Sequence, residues 1–180
     1  MAKTKNFLLI SSVLLVALVF PYVAASDYSV SSPPAKPYDK KNDVIVEGIV
    51  YCQSCDYSGT WSLEDAEPIS GATISVICRK NSGRINYYKA FTTSEEGYFY
   101  AKLDGFAMRD PLLDHPLQAC AVKLVDSPLE TCDVFTNINY GIKGASLRYE
   151  KKSFVTENYQ TVIYSAGPLA FRPENCPPKP

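Results

Sequence analysis

Six cysteines constrain the fold of this 180-residue chain more than any other feature of its sequence. Their number is even, and all of them follow the apolar N-terminal segment. In an oxidising compartment such a set predicts a framework of three disulfides, although spacing alone leaves every pairing open. The six are Cys52, Cys55, Cys78, Cys120, Cys132 and Cys176.

The N-terminus has the three parts of a secretory signal peptide. Lys3 and Lys5 precede an apolar run at 7–20, and small residues follow at 23–25. The run is shorter than the roughly 20 apolar residues that a membrane span needs. We therefore predict a signal peptide at 1–25 and a secreted, extracellular protein with no membrane contact after cleavage.

The remaining chain divides into three parts. Residues 26–43 are polar, contain three prolines and predict a flexible Pro-containing leader. Residues 44–176 predict one β domain, and 177–180 form a Pro-rich tail. The net charge of the whole chain is −1, without a basic cluster, so no nucleic-acid partner is expected.

The β domain shows the two-residue alternation of half-buried strands. Seven short strands with frequent turns predict an all-β fold, a small disulfide-stapled, seven-stranded β-barrel or sandwich. A short turn closed by Gly97 predicts a hairpin between the third and fourth strands, and 62–66 predict one helical turn. The predicted strands are 44–51, 72–78, 86–93, 97–103, 120–125, 144–149 and 161–164 with a possible extension to 171.

The sequence gives only weak indications of a metal site or a redox site. Cys52-Gln-Ser-Cys55 could be half of a zinc site, but such a site usually needs a second pair, and His115 is the sole histidine. No βαβ pattern surrounds the CxxC, which disfavours a redox motif. We predict no metal and no cofactor.

Catalytic motifs are also missing from the sequence. His115 lies in a proline-bracketed loop, and no GxSxG or HExxH motif accompanies it. We therefore predict no catalytic residue and a protein that is not an enzyme. A cryptic hydrolase that uses His115 remains as an alternative.

Tyrosines supply the clearest binding signal. Alternation in strand 97–103 places Phe99 inward and its neighbours outward, and two more tyrosines lie across the predicted hairpin. A tyrosine ring offers a flat apolar face and a hydroxyl, which suit a sugar, although ordinary cross-strand pairing explains them too. The predicted glycan-facing aromatics are Tyr87, Tyr88, Tyr98 and Tyr100.

Several motifs, in order, resemble the pollen Ole e I allergen and extensin family of plants. Residues 47–55 (EGIVYCQSC) match its G-x-V-x-C-x-x-C opening, and 68–78 (PISGATISVIC) match its next strand. Residues 97–99 (GYF) follow, and three later cysteines fill the remaining positions. The run 167–173 (GPLAFRP) is similar to the cell-wall type, which includes proline-rich and arabinogalactan proteins and seed and root hair protective proteins.

The resemblance implies a small β-barrel with the disulfides Cys52–Cys132, Cys55–Cys176 and Cys78–Cys120. It also implies a non-enzymatic protein of the plant cell wall or apoplast, in growing, reproductive, root-hair or seed tissue. Its expected partner is a wall polysaccharide, such as pectic galactan, or a wall glycoprotein. The alternative is a secreted signalling ligand or protease-inhibitor-like protein that uses loop 103–117.

Overall fold

The computed structural model describes residues 41–106, 115–156 and 159–176. All of them belong to one compact unit, residues 39–180. The predicted signal peptide, the leader as far as residue 40 and the tail 177–180 lie outside the described residues. The first strand begins at Lys41, so it includes the last three residues of the predicted leader, 41–43.

The all-β prediction is confirmed. The described residues form ten strands, and seven of them are five residues or longer, which matches the predicted seven. The strands are β1 (Lys41–Cys52), β2 (Glu67–Pro68), β3 (Thr73–Arg79), β4 (Ile85–Thr92), β5 (Tyr98–Lys102), β6 (Cys120–Asp126), β7 (Val134–Phe135), β8 (Ala145–Ser146), β9 (Arg148–Val155) and β10 (Tyr159–Arg172).

Among the described residues, helical structure is limited to short turns. They are the four-residue α1 (Pro116–Ala119) and the 3-10 turns Cys55–Tyr57 and Ile138–Tyr140. No helix in the described part of the chain is long and apolar enough to cross a membrane. The helical turn predicted at 62–66 is wrong, because Asp65 has a φ of 53°, in the left-handed region, and helical hydrogen bonding cannot continue through it.

Two sheets contain these strands. In the first sheet, β1 pairs in parallel with β10; β5 and β2 line the other edge of β1, and β9 and β7 line the other edge of β10. The second sheet is antiparallel, in the order β4-β3-β6-β8. The described strands do not close into a barrel, so of the two predicted architectures the two-sheet arrangement is the one observed.

The predicted hairpin is wrong. β4 pairs with β3 in the second sheet, and β5 pairs with β1 in the first. The turn from Ser94 to Gly97 therefore carries the chain from one sheet to the other. The buried Thr93 directs this crossing, since its hydroxyl donates to the Ile69 carbonyl at 2.6 Å and accepts from the Ala72 amide at 2.9 Å.

One hydrophobic core lies between the sheets, and the predicted alternation is confirmed there. Ile74, Val76 and Val122 from the second sheet are fully buried, as are Phe99 and Phe171 from the first. Burial of large apolar side chains of this kind contributes about 1.5–3 kcal/mol each. The inner faces of both sheets are thereby committed to packing, which leaves the outer faces for function.

Three disulfides staple the unit. They are Cys52–Cys132, Cys55–Cys176 and Cys78–Cys120, the same pairs that the resemblance implied. The Cys78–Cys120 bridge lies in the core between paired residues of β3 and β6. The two cysteines of the CxxC belong to different disulfides, so they form neither a metal clamp nor a redox pair.

Candidate binding groove on the first sheet

The outer face of the first sheet presents two of the predicted tyrosines. Tyr98 and Tyr100 of β5 are 39% and 54% exposed, while Phe99 between them is buried. The register of β5 on β1 places Tyr100 opposite Glu47 and Tyr98 opposite Ile49. The strand alternation that buries Phe99 is thus what projects the two tyrosine rings outward.

The other two predicted tyrosines lie on β4, in the second sheet. Tyr88 is 59% exposed there. The expectation for Tyr87 needs correction, because its ring packs edge-on against Phe106 at 5.8 Å between centroids. Its buried hydroxyl has no hydrogen-bond partner among the residues that the structure describes. Burial, with the charge of Asp104 adding to it, raises the pKa of Tyr87. The separation follows from the strand pairing, which assigns β4 and β5 to different sheets.

A groove of about 290 Å³ crosses the outer face beside Tyr98. Its floor comes from β1 and β10, with β5 on one side and β9 on the other. It is lined by Glu47, Gly48, Ile49, Tyr98, Arg148, Glu150, Ser165, Ala166, Gly167 and Pro168. We call this surface, together with Tyr100, the outer groove.

Glu47 is the hub of the outer groove. Lys152 Nζ lies 2.7 Å from its Oε1, and the Tyr98 hydroxyl donates to its Oε2. Burial alone would raise the pKa of Glu47, but the hydrogen bonds from Lys152 and Tyr98 outweigh burial, and the net pKa is lowered. Glu47 is therefore ionised at neutral pH and holds both neighbours in place.

The pKa values of both hydrogen-bond partners of Glu47 are raised. The pKa of Lys152 is raised by its hydrogen bond to Glu47 and by the charge of that carboxylate. The pKa of Tyr98 is raised by burial first and by Glu47 second, so its hydroxyl keeps its proton. The cluster thus combines one ion pair with a fixed phenol, a stable polar wall for a ligand.

The opposite wall is also hydrogen-bonded internally. Ser165 Oγ donates to Glu150 Oε1 at 2.5 Å, and Arg148 Nη2 donates to the Gly167 carbonyl at 2.8 Å. The outer groove therefore holds two carboxylates and two cations, and it carries little net charge. Such a surface offers hydroxyl-sized donors and acceptors beside aromatic rings, without favouring an anionic or a cationic ligand.

His115 caps the start of the short helix α1. Its Nδ1 accepts from the Leu117 amide at 3.4 Å at the start of α1, and its ring meets Tyr164 edge-on at 6.1 Å between centroids. Within residues 41–106, 115–156 and 159–176, no group of three or more His, Cys, Asp or Glu side chains could hold a metal ion. Most of loop 103–117, which the alternative function needs, lies outside the described residues.

The polar members of the outer groove were not predicted from the sequence. Glu47 had a local signal, because it is the one charged residue in the apolar run 44–51 and its position in the alternation points it outward. Lys152 and Arg148 had none, since they come from β9, which joins Glu47 only through the pairing of β9 with β10.

Known proteins resemble this chain in sequence. It is 28% identical to the non-classical arabinogalactan protein 30 of Arabidopsis thaliana over 141 residues, 76% of this chain and 55% of that protein. It is 32% identical to a pistil-specific extensin-like protein of Nicotiana tabacum over 71% of this chain and 30% of that protein. It is 29% identical to the major pollen allergen Lol p 11 of Lolium perenne over 62% of this chain and 84% of that protein.

The chain therefore spans about half the length of the first of these relatives and less than a third of the second. No family model matches the chain. Among solved structures, the major plantain pollen allergen Pla l 1 superposes with a TM-score of 0.52 at 24% identity, covering 77% of this chain and 99% of the allergen chain. The two proteins share a fold.

Proposed function

We propose a function that rests first on sequence similarity. This chain is a relative of the pollen Ole e I allergens and of the extensin-like and arabinogalactan proteins of plants, as its motifs predicted. It acts as a secreted, non-enzymatic protein of the plant cell wall. Its outer groove binds an uncharged wall polysaccharide of the pectic galactan type, and the protein organises that polysaccharide in the wall.

One observation carries the binding proposal: two exposed tyrosines lie beside a polar groove of balanced charge, and strands of one sheet supply both. Tyr98 and Tyr100 offer apolar ring faces to the C–H face of a sugar. The hydroxyl and carboxylate groups between them and β9 can exchange hydrogen bonds with sugar hydroxyls. Because Glu47 is ion-paired with Lys152 and the two carboxylates balance the two cations, a neutral chain gains more here than a charged one.

The electrostatics of Glu47 support binding over hydrolysis. A glycoside hydrolase needs one carboxylic acid that is protonated near neutral pH, which requires a raised pKa. The pKa of Glu47 is lowered instead, and both Glu47 and Glu150 are engaged by hydrogen bonds from within the protein. The outer groove is arranged to hold a polysaccharide in place.

Titration of the mature protein with galactan oligosaccharides by calorimetry tests the proposal. Replacing Tyr100 by Ala should weaken binding by about five- to tenfold, since removal of an aromatic contact residue typically costs more than about 1 kcal/mol. The change Tyr98→Phe should weaken binding less, because it keeps the ring and loses only the bond to Glu47.

Tyr88→Ala is the matched control. Tyr88 is exposed to a similar degree, at 59%, but lies on the second sheet. Its removal should leave galactan affinity unchanged. Absence of any galactan binding by the unaltered protein, or equal losses from the Tyr88 and Tyr100 variants, would contradict the proposal.

A further inference from the structure

A second depression, which we call the Trp61 cleft, lies where β1 and β10 end. It measures about 290 Å³, and its lining includes Gln53, Trp61, Phe135, Asn137 and Arg172. It shares no lining residue with the outer groove. Its chemistry also differs, so it requires an explanation of its own.

Exposed aromatic rings dominate the Trp61 cleft. Trp61 is 61% exposed and Phe135 is 46% exposed, a large apolar area to leave in water. Tyr140, 56% exposed, meets Trp61 edge-on with 6.0 Å between centroids. Tyr140 and the preceding Asn139 both have positive φ, a backbone conformation that residues other than Gly rarely adopt. The rings offer flat faces of the size of one sugar ring.

The loop that carries Trp61 is held rigidly. Gln53 is 1% exposed, and its Nε2 lies 2.9 Å from both the Tyr57 and the Ser62 carbonyls. The disulfides Cys52–Cys132 and Cys55–Cys176 tie the start of the loop to two distant segments. A site whose walls are fixed before binding loses less conformational entropy when a ligand arrives.

Within the described part of the chain, Arg172 is the one charged side chain that lines the Trp61 cleft. Its Nη1 donates to the neighbouring Pro173 carbonyl at 3.1 Å, and none of the ion pairs formed among the described residues includes it. The guanidinium therefore has donors to spare. The outer groove has as many carboxylates as cations, and Lys152 is ion-paired with Glu47, whereas the described residues that line this cleft include no acid.

We propose that the Trp61 cleft binds a sugar that bears a carboxylate, namely a uronic acid residue of an acidic polysaccharide. The sugar ring lies against Trp61, its carboxylate pairs with Arg172, and Asn137 meets a hydroxyl. An Arg–carboxylate pair is the geometry that a guanidinium favours. The site is independent of the outer groove, so the protein offers separate places for a neutral and an acidic sugar.

Tryptophan fluorescence provides a direct test, because Trp61 is the single tryptophan of the whole chain. The mature protein is titrated with oligogalacturonate and, in parallel, with the fully methyl-esterified oligomer. We expect a saturable change in emission with the acid and at least about tenfold weaker binding of the ester, which lacks the charge that Arg172 pairs with. Added salt should weaken binding of the acid.

Two arginine variants locate the carboxylate. Arg172→Gln should weaken binding of the acid by about tenfold and leave binding of the ester unchanged. Arg84→Gln makes the same change in charge at an exposed residue before β4 and should alter neither titration. Urea unfolding of both variants confirms that they are folded.

Three outcomes would overturn the proposal: equal affinity for acid and ester, equal losses from the Arg172 and Arg84 variants, or no emission change with either oligomer. Tyr100→Ala separates the two sites. It should leave the emission titration with oligogalacturonate unchanged, so failure of galactan binding in the outer groove and failure of acid binding in the Trp61 cleft are distinguishable.

Discussion

The outer groove and the Trp61 cleft are built in different ways. Strands β5, β1, β10 and β9 supply most of the outer groove, and main-chain pairing within one sheet sets its geometry. Residues before β2 and after β7 supply much of the Trp61 cleft, and disulfides and the Gln53 side chain hold them. The charges differ as well: carboxylates balance the cations in the groove, whereas Arg172 in the cleft has no acid beside it among the described lining residues.

This difference shows how one small β domain can carry two surfaces that depend on different structural supports. Damage to the sheet should affect the outer groove first, and damage to the staples should affect the Trp61 cleft first. The predictions below test that separation.

The largest effect is expected from removing the Cys55–Cys176 disulfide with the double change Cys55→Ser and Cys176→Ser. The bridge spans 121 residues of sequence. Its loss frees the unfolded chain and should lower the free energy of unfolding by about 4–5 kcal/mol. Urea denaturation measures this. At low urea, oligogalacturonate binding should fall more than galactan binding, and the reverse order would contradict the separation of the two sites.

A smaller loss is expected from Gly48→Ala. An added Cβ would lie 2.3 Å from the Ala166 carbonyl oxygen and 2.5 Å from the Phe99 ring, so β1, β10 and β5 must move apart beneath the outer groove. We expect about 3 kcal/mol of destabilisation from such overpacking. Urea denaturation and galactan titration measure the two consequences.

Gly59→Ala is the counterpart of this change at the Trp61 cleft. Gly59 has a φ of +81° with nothing within 4 Å of an added Cβ, so only backbone strain of about 1 kcal/mol is expected. A loss at Gly59 as large as that at Gly48 would show that space in the sheet is not the deciding factor.

Gln53→Glu should cost about 2 kcal/mol, because a carboxylate oxygen would replace a donor that faces three carbonyls. The amide nitrogen contacts the carbonyls of Tyr57, Thr60 and Ser62. Loosening of this loop should shift Trp61 emission and weaken oligogalacturonate binding without changing galactan affinity. Gln118→Glu, the same change at an exposed site, should leave Trp61 emission, oligogalacturonate binding and galactan affinity unchanged.

The smallest effect concerns pH. The pKa of Glu47 in the folded protein lies below its ordinary value of 4.5, so its ionised form stabilises the fold above that pH. The contribution is lost as the pH falls through the lowered pKa. Glu47→Gln should therefore flatten the loss of stability between about pH 5 and pH 3. Urea midpoints across this range measure it, with Glu95→Gln at an exposed turn as control. An unchanged acid slope would contradict the role of Glu47.

Part of the outer groove was predictable from local pattern. The alternation at 97–103 correctly predicted that Phe99 is buried and that Tyr98 and Tyr100 are exposed. It could not predict their neighbours, because the turn at Ser94–Gly97 has the same local chemistry whether it closes a hairpin or joins two sheets. The assignment of Tyr88 to the same surface was an error of strand pairing, whereas Tyr87 is partly buried because neighbouring residues of a strand point to opposite faces.

The length of β10 was also underestimated. The prediction covered 161–164 with a possible extension to 171, whereas the strand runs from Tyr159 to Arg172. Gly167 and Pro168 ordinarily interrupt a strand. Here pairing with β1 resumes beyond them. Gly48 pairs with Ala166 and Val50 with Leu169, so β10 has one more residue than β1 in this interval, a bulge that accommodates Gly167 and Pro168. Only the neighbouring strand shows that the interruption is tolerated.

The sequence by itself determined the class of this protein: an all-β, disulfide-stapled domain whose inward residues follow the two-residue period of its strands. Period and composition are local properties, and the alternation within each strand decides which of its residues are buried. Tertiary structure alone decided which strands are neighbours, and therefore that Lys152 meets Glu47 and that Trp61 and Arg172 line one cleft. Those contacts join residues far apart in sequence, where spacing carries no information.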